Sequence, residues 1–469
     1  MTGGAPGRGA WVALAAAGLR TLGLAAGCAP PDPPCGAVAG TSITAAPGGG
    51  GNVLVVLLDD VGTEQLGVYG GSLVAPTPTI DCLCARGTRF TRAWATPVCS
   101  PSRAALLTGR LGDRTGVLSN VQGVGVLPLA EQTLGEVARA AGYATGFVGK
   151  WHVDGWGTAG GQLAPQLQGF DRYHGALDNL SSPYAPEPPH DDVDGGYDHY
   201  WSVSDGVAEW VTRYATTTEI DDALGFVDAH ADEDAPWLLV VALHAPHGPL
   251  TAPPAHLVTG PVPDRYAPPD WMYRATLEAA DAEIGRLLRG IDPRVLADTT
   301  VVLGADNGTS AEGVAPPYDP GRVKATLYEG GIHVPLVVTG PYARPGVSDA
   351  LIHWVDLVPT VAEIAGVEPP ADLDGVSQLG TLLDPDGGGT PFVNTVWGPF
   401  GDLPERAIRD DAYKLIARSD GGAELYDLAV DPAEATNLLP LAPGTDPDAE
   451  AALDRLAERL APGVGISRF

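Results

Sequence analysis

The sequence predicts an α/β fold: a large, mixed but mostly parallel sheet sandwiched by helices, with a smaller C-terminal α+β unit that contains an antiparallel sheet. Three observations predict it. Short apolar runs at residues 53–58, 144–148, 237–243 and 299–303 have the near-continuous character of strands buried on both faces. Between them lie helical patterns, with Ile220, Leu224 and Val227 on one face and Leu277, Ile284 and Leu288 on another. Beyond Asp374-Gly375 the pattern changes to a hairpin followed by a terminal helix.

Taken in order, the 469-residue chain opens with Arg8, an apolar stretch over 11–26, and Leu24-Ala25-Ala26-Gly27-Cys28 ahead of a Pro-rich segment. This resembles a bacterial lipoprotein signal, so residues 1–28 are expected to direct export to the periplasm or the exterior, with Cys28 as a lipid attachment point. Residues 29–51, rich in Pro, Gly and Ala without periodicity, are expected to form a flexible tether. The main domain is expected over 52–385 and the C-terminal unit over 386–469. In that unit, 413–417 and 424–428 flank the turn signal Asp420-Gly421-Gly422. Asp446 and Pro447 then supply a cap and a first-turn residue for a helix with Leu453, Leu456 and Leu460 on one face. No later segment offers the roughly 18 uninterrupted apolar residues of a membrane span.

Composition narrows the function classes. With 44% hydrophobic and 18% charged residues the chain can bury a large core, and a net charge of -31 argues against nucleic acid or an anionic membrane surface as a partner. Membrane contact is expected only through the N-terminal lipid. An anionic substrate would need a local cationic pocket against the global field. Only three lysines exist, Lys150, Lys324 and Lys414, so each position asks for a reason. The five cysteines are odd in number and lack zinc-type spacing, which predicts no disulfide framework. Cys82 and Cys84 are expected as small buried apolar side chains on a helix.

The residues just beyond each buried run carry the most chemistry, because ligand sites in open α/β sheets gather beyond the carboxyl ends of the strands. The first run leads into Asp59-Asp60, the second into Gly149-Lys150-Trp151-His152, the third into His244-Ala245-Pro246-His247 and the fourth into Asp306-Asn307. An aspartate after a strand is most often a turn or a helix cap. Four such deliveries to one edge fit a site better than coincidence. Cys99-Ser100-Pro101-Ser102-Arg103 precedes the helix-forming 104–110, with Ser100 as a cap and Pro101 at the first position. Cys99 is therefore expected just ahead of a helix N-terminus, where an anion is stabilised. A buried structural cysteine remains the bland reading of that position.

The run C-S-P-S-R-A-A-L-L-T-G-R at 99–110 resembles the signature of the type I, formylglycine-dependent sulfatases of the alkaline phosphatase superfamily, in which a separate formylglycine-generating enzyme oxidises the cysteine. The resemblance continues through the four strand-end motifs, Lys324 ahead of Tyr328-Glu329-Gly330-Gly331, and Glu424-Leu425-Tyr426-Asp427-Leu428 with Asp431-Pro432. It spans nearly all the chain beyond Asn52. It implies a sulfuric ester hydrolase acting on a sulfated small molecule or carbohydrate. It also implies that Asp59, Asp60, Asp306 and Asn307 bind calcium, with magnesium as the alternative, and that the formylglycine at position 99 adds a further oxygen. Hard oxygen donors suit calcium, which takes about six to eight of them.

By the same resemblance the aldehyde is hydrated, one of its hydroxyls attacks sulfur with Asp306 as base, and the alcohol leaves. His152 then removes a proton from the remaining hydroxyl, expelling sulfate and re-forming the aldehyde. Lys324 and His247 contact the leaving-group oxygen, Lys150 holds a sulfate oxygen, and Arg103 pairs with the oxygens at position 99. His244 is expected to support the loop, and His333 and His353 to be structural. Asp154 and His333 depart from the family pattern and bear on the entrance, which residues 156–205 are expected to shape. Two rival readings stand beside this one. One is a phosphonate monoester or phosphodiester hydrolase of the same superfamily; the other is a non-catalytic binder of sulfated ligands with Cys99 unconverted.

Overall fold

A ten-stranded mixed sheet forms the centre of the protein, as seen in a computed structural model. It describes Met1, Cys35, Gly36, Val38 and residues 48–120, 126–188, 195–398, 403–442 and 444–460. The strands of the large sheet are β1 (Asn52–Leu58), β2 (Thr88–Trp94), β3 (Ala144–Gly149), β4 (Arg172–Gly175), β5 (Tyr200–Ser204), β6 (Val207–Val211), β7 (Trp237–Ala242), β8 (Thr299–Ala305), β9 (Leu336–Thr339) and β10 (Gly346–His353). Their order is β10-β2-β9-β8-β1-β7-β3-β4-β5-β6.

The central strands β8, β1, β7, β3 and β4 run parallel, whereas β9, β5 and β6 join antiparallel. Residues 53–58 of β1 and all six residues of β7 are buried, as an apolar strand covered on both faces must be. Helices Ala215–His230 and Pro269–Gly290 carry the predicted apolar stripes, with Ile220, Val227, Leu277, Ile284 and Leu288 in the core.

Register decides where the site lies. Leu57 pairs with Ala242, Leu58 with Ala305, and Gly149 with Ala242, so β1, β3, β7 and β8 end level with one another. A second sheet, with antiparallel order β11 (Val393–Trp397), β12 (Glu405–Arg409), β13 (Tyr413–Ala417) and β14 (Ala423–Asp427), lies in the C-terminal region. The helix Pro447–Arg459 packs Leu453 and Leu456 against Leu415 and Leu425 of that sheet, and Asp446 caps it by accepting from the Ala449 amide.

Two expectations fail near the start. Cys82 is bonded to Cys35, with Cα atoms 5.8 Å apart, so it is not a free apolar side chain and at least this pair forms a disulfide. The bond fastens residue 35 to the helix Pro78–Arg86, and Arg86 donates to the Gly36 and Val38 carbonyls. At those positions the 29–51 segment is fixed to the domain. Cys84 is free and buried as expected. The signal reading at 1–28, with Cys28, lies outside the described residues apart from Met1. Among the described residues no helix is long and apolar enough to cross a membrane.

Candidate active site

Because β1, β3, β7 and β8 end level, the residues beyond them meet at one point. Three backbone bonds hold the ends together: the Asp59 amide donates to Ala245 O at 3.2 Å, Lys150 to Ala242 O at 2.8 Å, and Asp306 to Leu58 O at 3.0 Å. Trp354 adds a further tie by donating from Nε1 to Ala305 O, the last residue of β8. Asp60 and His152 adopt left-handed backbone conformations, with φ of 68° and 57°, which cost energy in a non-glycine residue. The packed strand ends hold them there.

Cys99 is the first residue of the helix Cys99–Thr108 and is fully buried. This corrects the expected boundary. Val98 takes the cap position with extended backbone, and the Ser100 amide donates to Asn120 Oδ1, so Ser100 is not the cap. The Cys99 thiol lies 3.4 Å from Asp59 Oδ1 and 3.5 Å from Lys324 Nζ. Burial, followed by the negative charge of Asp59, pushes it far above the ordinary thiol range. An unmodified Cys99 is therefore a protonated thiol at neutral pH.

Around it stand three buried carboxylates and three cations. Arg103 donates to Asp306 Oδ2 from Nε at 3.0 Å and Nη2 at 2.8 Å, and reaches Asp59 Oδ2 at 3.2 Å. Lys150 Nζ lies 2.5 Å from Asp59 Oδ2, and Lys324 Nζ 2.5 Å from Asp60 Oδ1. Burial alone would raise Asp59, but the charges of Lys150, Arg103 and Lys324 outweigh it and hold the carboxyl well below its usual range. Asp60 goes the other way: burial pushes it up to about 6, against the opposing pull of Lys324. Asp306 is also raised, first by burial and then by Asp59.

A cation fits this arrangement. Ligand atoms of Asp59, Asp60, Cys99 and His247 all lie within 4.8 Å of one another. Asn307 donates from Nδ2 to Asp60 Oδ1 at 2.7 Å, which leaves its buried Oδ1 without a hydrogen-bond partner among the described residues. An orphaned amide oxygen beside carboxylates is a donor set for a hard divalent ion. Asp306, expected in the ligand set, has its oxygens engaged by Arg103 and the Asp60 amide. His247, not expected there, brings Nε2 to 3.9 Å from Asp60 Oδ2.

The histidines divide into two kinds. His152 Nε2 lies 3.0 Å from Asp178 Oδ1, while its buried Nδ1 has no partner among the described residues. Burial, with help from Lys150, pushes His152 down to about 4, so it is neutral at pH 7. His244 pairs with Glu219 at 2.5 Å, and Tyr197 donates to the carbonyls of both His244 and His247. His244 thus supports the loop that presents His247, as expected. His333 contacts Thr91 O and Thr63, and His353 accepts from the Val355 amide; both roles are structural.

Asp178 and Glu219 are the partners that sequence reasoning missed. Asp178 lies 26 positions beyond His152 in irregular chain, and Glu219 is on a helix, so no local motif points to either.

A cleft of about 570 Å³ opens over the cluster, lined by Asp60, His247 and Lys324 below and by Asn120, Asn179, Ser181, Ser310, Glu312 and Trp397 above. Residues 156–205 contribute Asn179 and Ser181, but Trp397 comes from β11 of the second sheet. The entrance is therefore shared more widely than that segment. Asp154 instead lines a neighbouring cavity together with Trp156 and Asp178.

This geometry belongs with a sequence match to the sulfatase family model over residues 51–367, and with a second to the C-terminal region of N-sulphoglucosamine sulphohydrolase over 322–461. The chain belongs to the sulfatase family. It is 32% identical over 462 residues to arylsulfatase A of Homo sapiens, covering 86% of each chain, and 31% identical over 433 residues to arylsulfatase G of Rattus norvegicus, covering 81% of this chain and 78% of the relative. The fold is similar to the crystal structure of Ps i-CgsB in complex with k-i-k-neocarrahexaose. The TM-score there is 0.73 at 24% identity, with 87% of this chain and 92% of that one covered. This sulfatase is accordingly a sulfuric ester hydrolase of the alkaline phosphatase superfamily.

Proposed function

We propose that this sulfatase hydrolyses a sulfate ester of a small molecule or carbohydrate through a formylglycine made from Cys99, beside a calcium ion held by Asp59, Asp60, Asp306 and Asn307. The observation that carries the reading is the setting of Cys99. A thiol that burial keeps protonated is a poor nucleophile, yet it stands within 3.5 Å of both a carboxylate and the ammonium of Lys324, which lines the cleft. Conversion to a hydrated aldehyde would supply hydroxyls there for attack on sulfur and for release of sulfate. The ion would supply charge withdrawal from the sulfate oxygens.

The contacts of the other side chains support a part for each of them. Three carboxylates and three cations leave the cluster near neutrality, so a divalent ion gives it the net positive charge an anionic ester needs. Arg103, locked by Asp306 and Asp59, fixes the Cys99 side of the site and cannot swing towards solvent. Lys150, fully buried and aligned by Asp59, is placed to hold a sulfate oxygen. Lys324 is mostly buried but lines the cleft, and its ammonium, held charged against the effect of burial by Asp60 and Asp59, is the cationic donor nearest the departing oxygen. His247 donates from Nδ1 to Gly248 O, which leaves Nε2 facing Asp60 as an acceptor. His152, with Nε2–H directed at Asp178, keeps Nδ1 free to accept a proton, as the collapse that expels sulfate requires. The acceptor site that Arg103 and the Asp60 amide leave on Asp306 would serve either the ion or, as base, the attacking hydroxyl.

Maturation would need a formylglycine-generating enzyme, and the N-terminal signal reading would place the protein outside the cytoplasm. The test begins with the mass of the tryptic peptide containing Cys99 in protein co-expressed with such an enzyme. Conversion should lower it measurably, and Cys99→Ala should reduce kcat/KM on an aryl sulfate by a factor of about 10⁴ or more. Chelation should remove activity and calcium should restore it. Full turnover by Cys99→Ala would sink the nucleophile assignment. Faster turnover of an aryl phosphonate monoester than of the matching sulfate would move the enzyme to the rival reaction.

A further inference from the structure

The cleft above the site is poor in positive charge. Among the described residues lining it, Lys324 is the one lysine or arginine, and its ammonium is already 2.5 Å from Asp60. Arg103 and Lys150 lie beneath, 2% and 0% exposed, committed to Asp59 and Asp306. The upper walls offer neutral donors and acceptors from Asn120, Asn179, Ser181 and Ser310, the indole of Trp397, and one exposed carboxylate, Glu312. The internal segments outside the described residues, 121–125, 189–194, 399–402 and 443, contain no lysine or arginine in their sequence.

A monoester places its single negative charge on the floor, where cations meet it. A second negative charge on the alcohol portion would lie against neutral walls and Glu312, inside the field of a chain carrying -31. We propose that the cleft selects sulfate esters whose alcohol portion is uncharged, such as a neutral glycoside or a neutral aryl or alkyl alcohol. It discriminates against esters that carry a further sulfate or carboxylate. This rests on the sulfatase reading above, and it adds a class of substrate that the fold alone does not choose.

Two coumarin esters test it on the full, converted protein: the 7-sulfate of 4-methyl-7-hydroxycoumarin and the 7-sulfate of 7-hydroxycoumarin-4-acetate. The added carboxylate is remote from the scissile oxygen, so the two leaving groups are chemically close. We expect kcat/KM to be about tenfold lower for the carboxylate, mainly through KM, with the gap shrinking as salt rises from about 20 to about 500 mM because screening shortens the repulsion. Glu312→Gln should narrow the gap at low salt and Glu312→Lys should close or reverse it, each acting more strongly on the doubly charged ester than on the singly charged one. Equal kcat/KM for the two esters at low salt, or a gap indifferent to salt and to Glu312, overturns the inference while leaving the sulfatase intact. Failure of the converted protein on both esters overturns the formylglycine reaction proposed above, and the inference with it.

Discussion

Two clusters of buried charge stand out among the described residues, and one of them reaches a cleft. In the first, Asp59, Asp60 and Asp306 face Arg103, Lys150 and Lys324 at the ends of β1, β3 and β8. In the second, Lys414 on β13 reaches Glu329 at 3.0 Å and Glu434 at 2.8 Å, stands 5.0 Å over the Trp94 ring, and has Arg409 beside it at 3.5 Å from Glu329. Burial would raise Glu329, but Lys414 and Arg409 outweigh it and pull the carboxyl down to about 2. Lys414 is fully buried and every charge there is matched within the protein. The first cluster differs in that Asp60 and Lys324 line a cleft, whereas the second is closed over by the protein. Buried ion pairs alone therefore do not mark chemistry; an opening that a ligand can enter does.

If that distinction is right, removing a lysine from each cluster has opposite consequences. Lys324→Ala should lower kcat on esters of poor leaving groups by about 10²- to 10⁴-fold, the usual span for a positioned acid. The loss should be much smaller on activated aryl esters, whose alcohols leave without a proton. Equal losses on both would remove the acid role. Lys414→Met should instead strand Glu329 and Glu434 in the interior and cost about 3–5 kcal/mol of stability. Urea unfolding would read this, while kcat per folded molecule stays unchanged. A Lys414→Met protein of normal stability but reduced kcat would erase the contrast between the clusters.

How much of this was legible in the sequence depended on what each feature needs. The central strands were readable because burial on both faces demands continuous apolar runs, and the residues after them could be placed together once those strands were taken as parallel. The strands β4, β5 and β6 were not singled out: Arg172–Gly175, parallel to β3, and Val207–Val211, the antiparallel edge strand, are short and partly exposed, so their sequences carry polar residues at irregular positions. The Cys35–Cys82 bond joins two segments with no shared motif. Asp178 was invisible for the same reason, since its meaning comes only from where His152 points. Lys414 was flagged by rarity alone, and rarity could not say whether a lysine serves a reaction or a clamp.

His353 sharpens the comparison from a third side, as a buried titratable group whose ring has no charged partner among the described residues. It ends β10, accepts from the Val355 amide, and begins the turn whose Trp354 holds the end of β8. Burial pushes its imidazole down to about 4 from an ordinary value of 6.5. The folded state thus resists a proton that the unfolded chain takes readily, so this contribution is fully present above about pH 6.5 and is lost as pH falls from there towards about 4. The whole gap is worth about 3 kcal/mol, of which about 2 kcal/mol should be lost between about pH 7.5 and about pH 5. His353→Asn keeps an acceptor for the Val355 amide but cannot titrate. Its unfolding free energy should therefore fall by about 2 kcal/mol less than the wild type's over that interval, a difference in which the remaining carboxylates and histidines cancel. If the two proteins lose stability in parallel, His353 is not a source of the acid sensitivity, and a buried group without a charge partner would be no more exposed to acid than the matched cluster around Lys414.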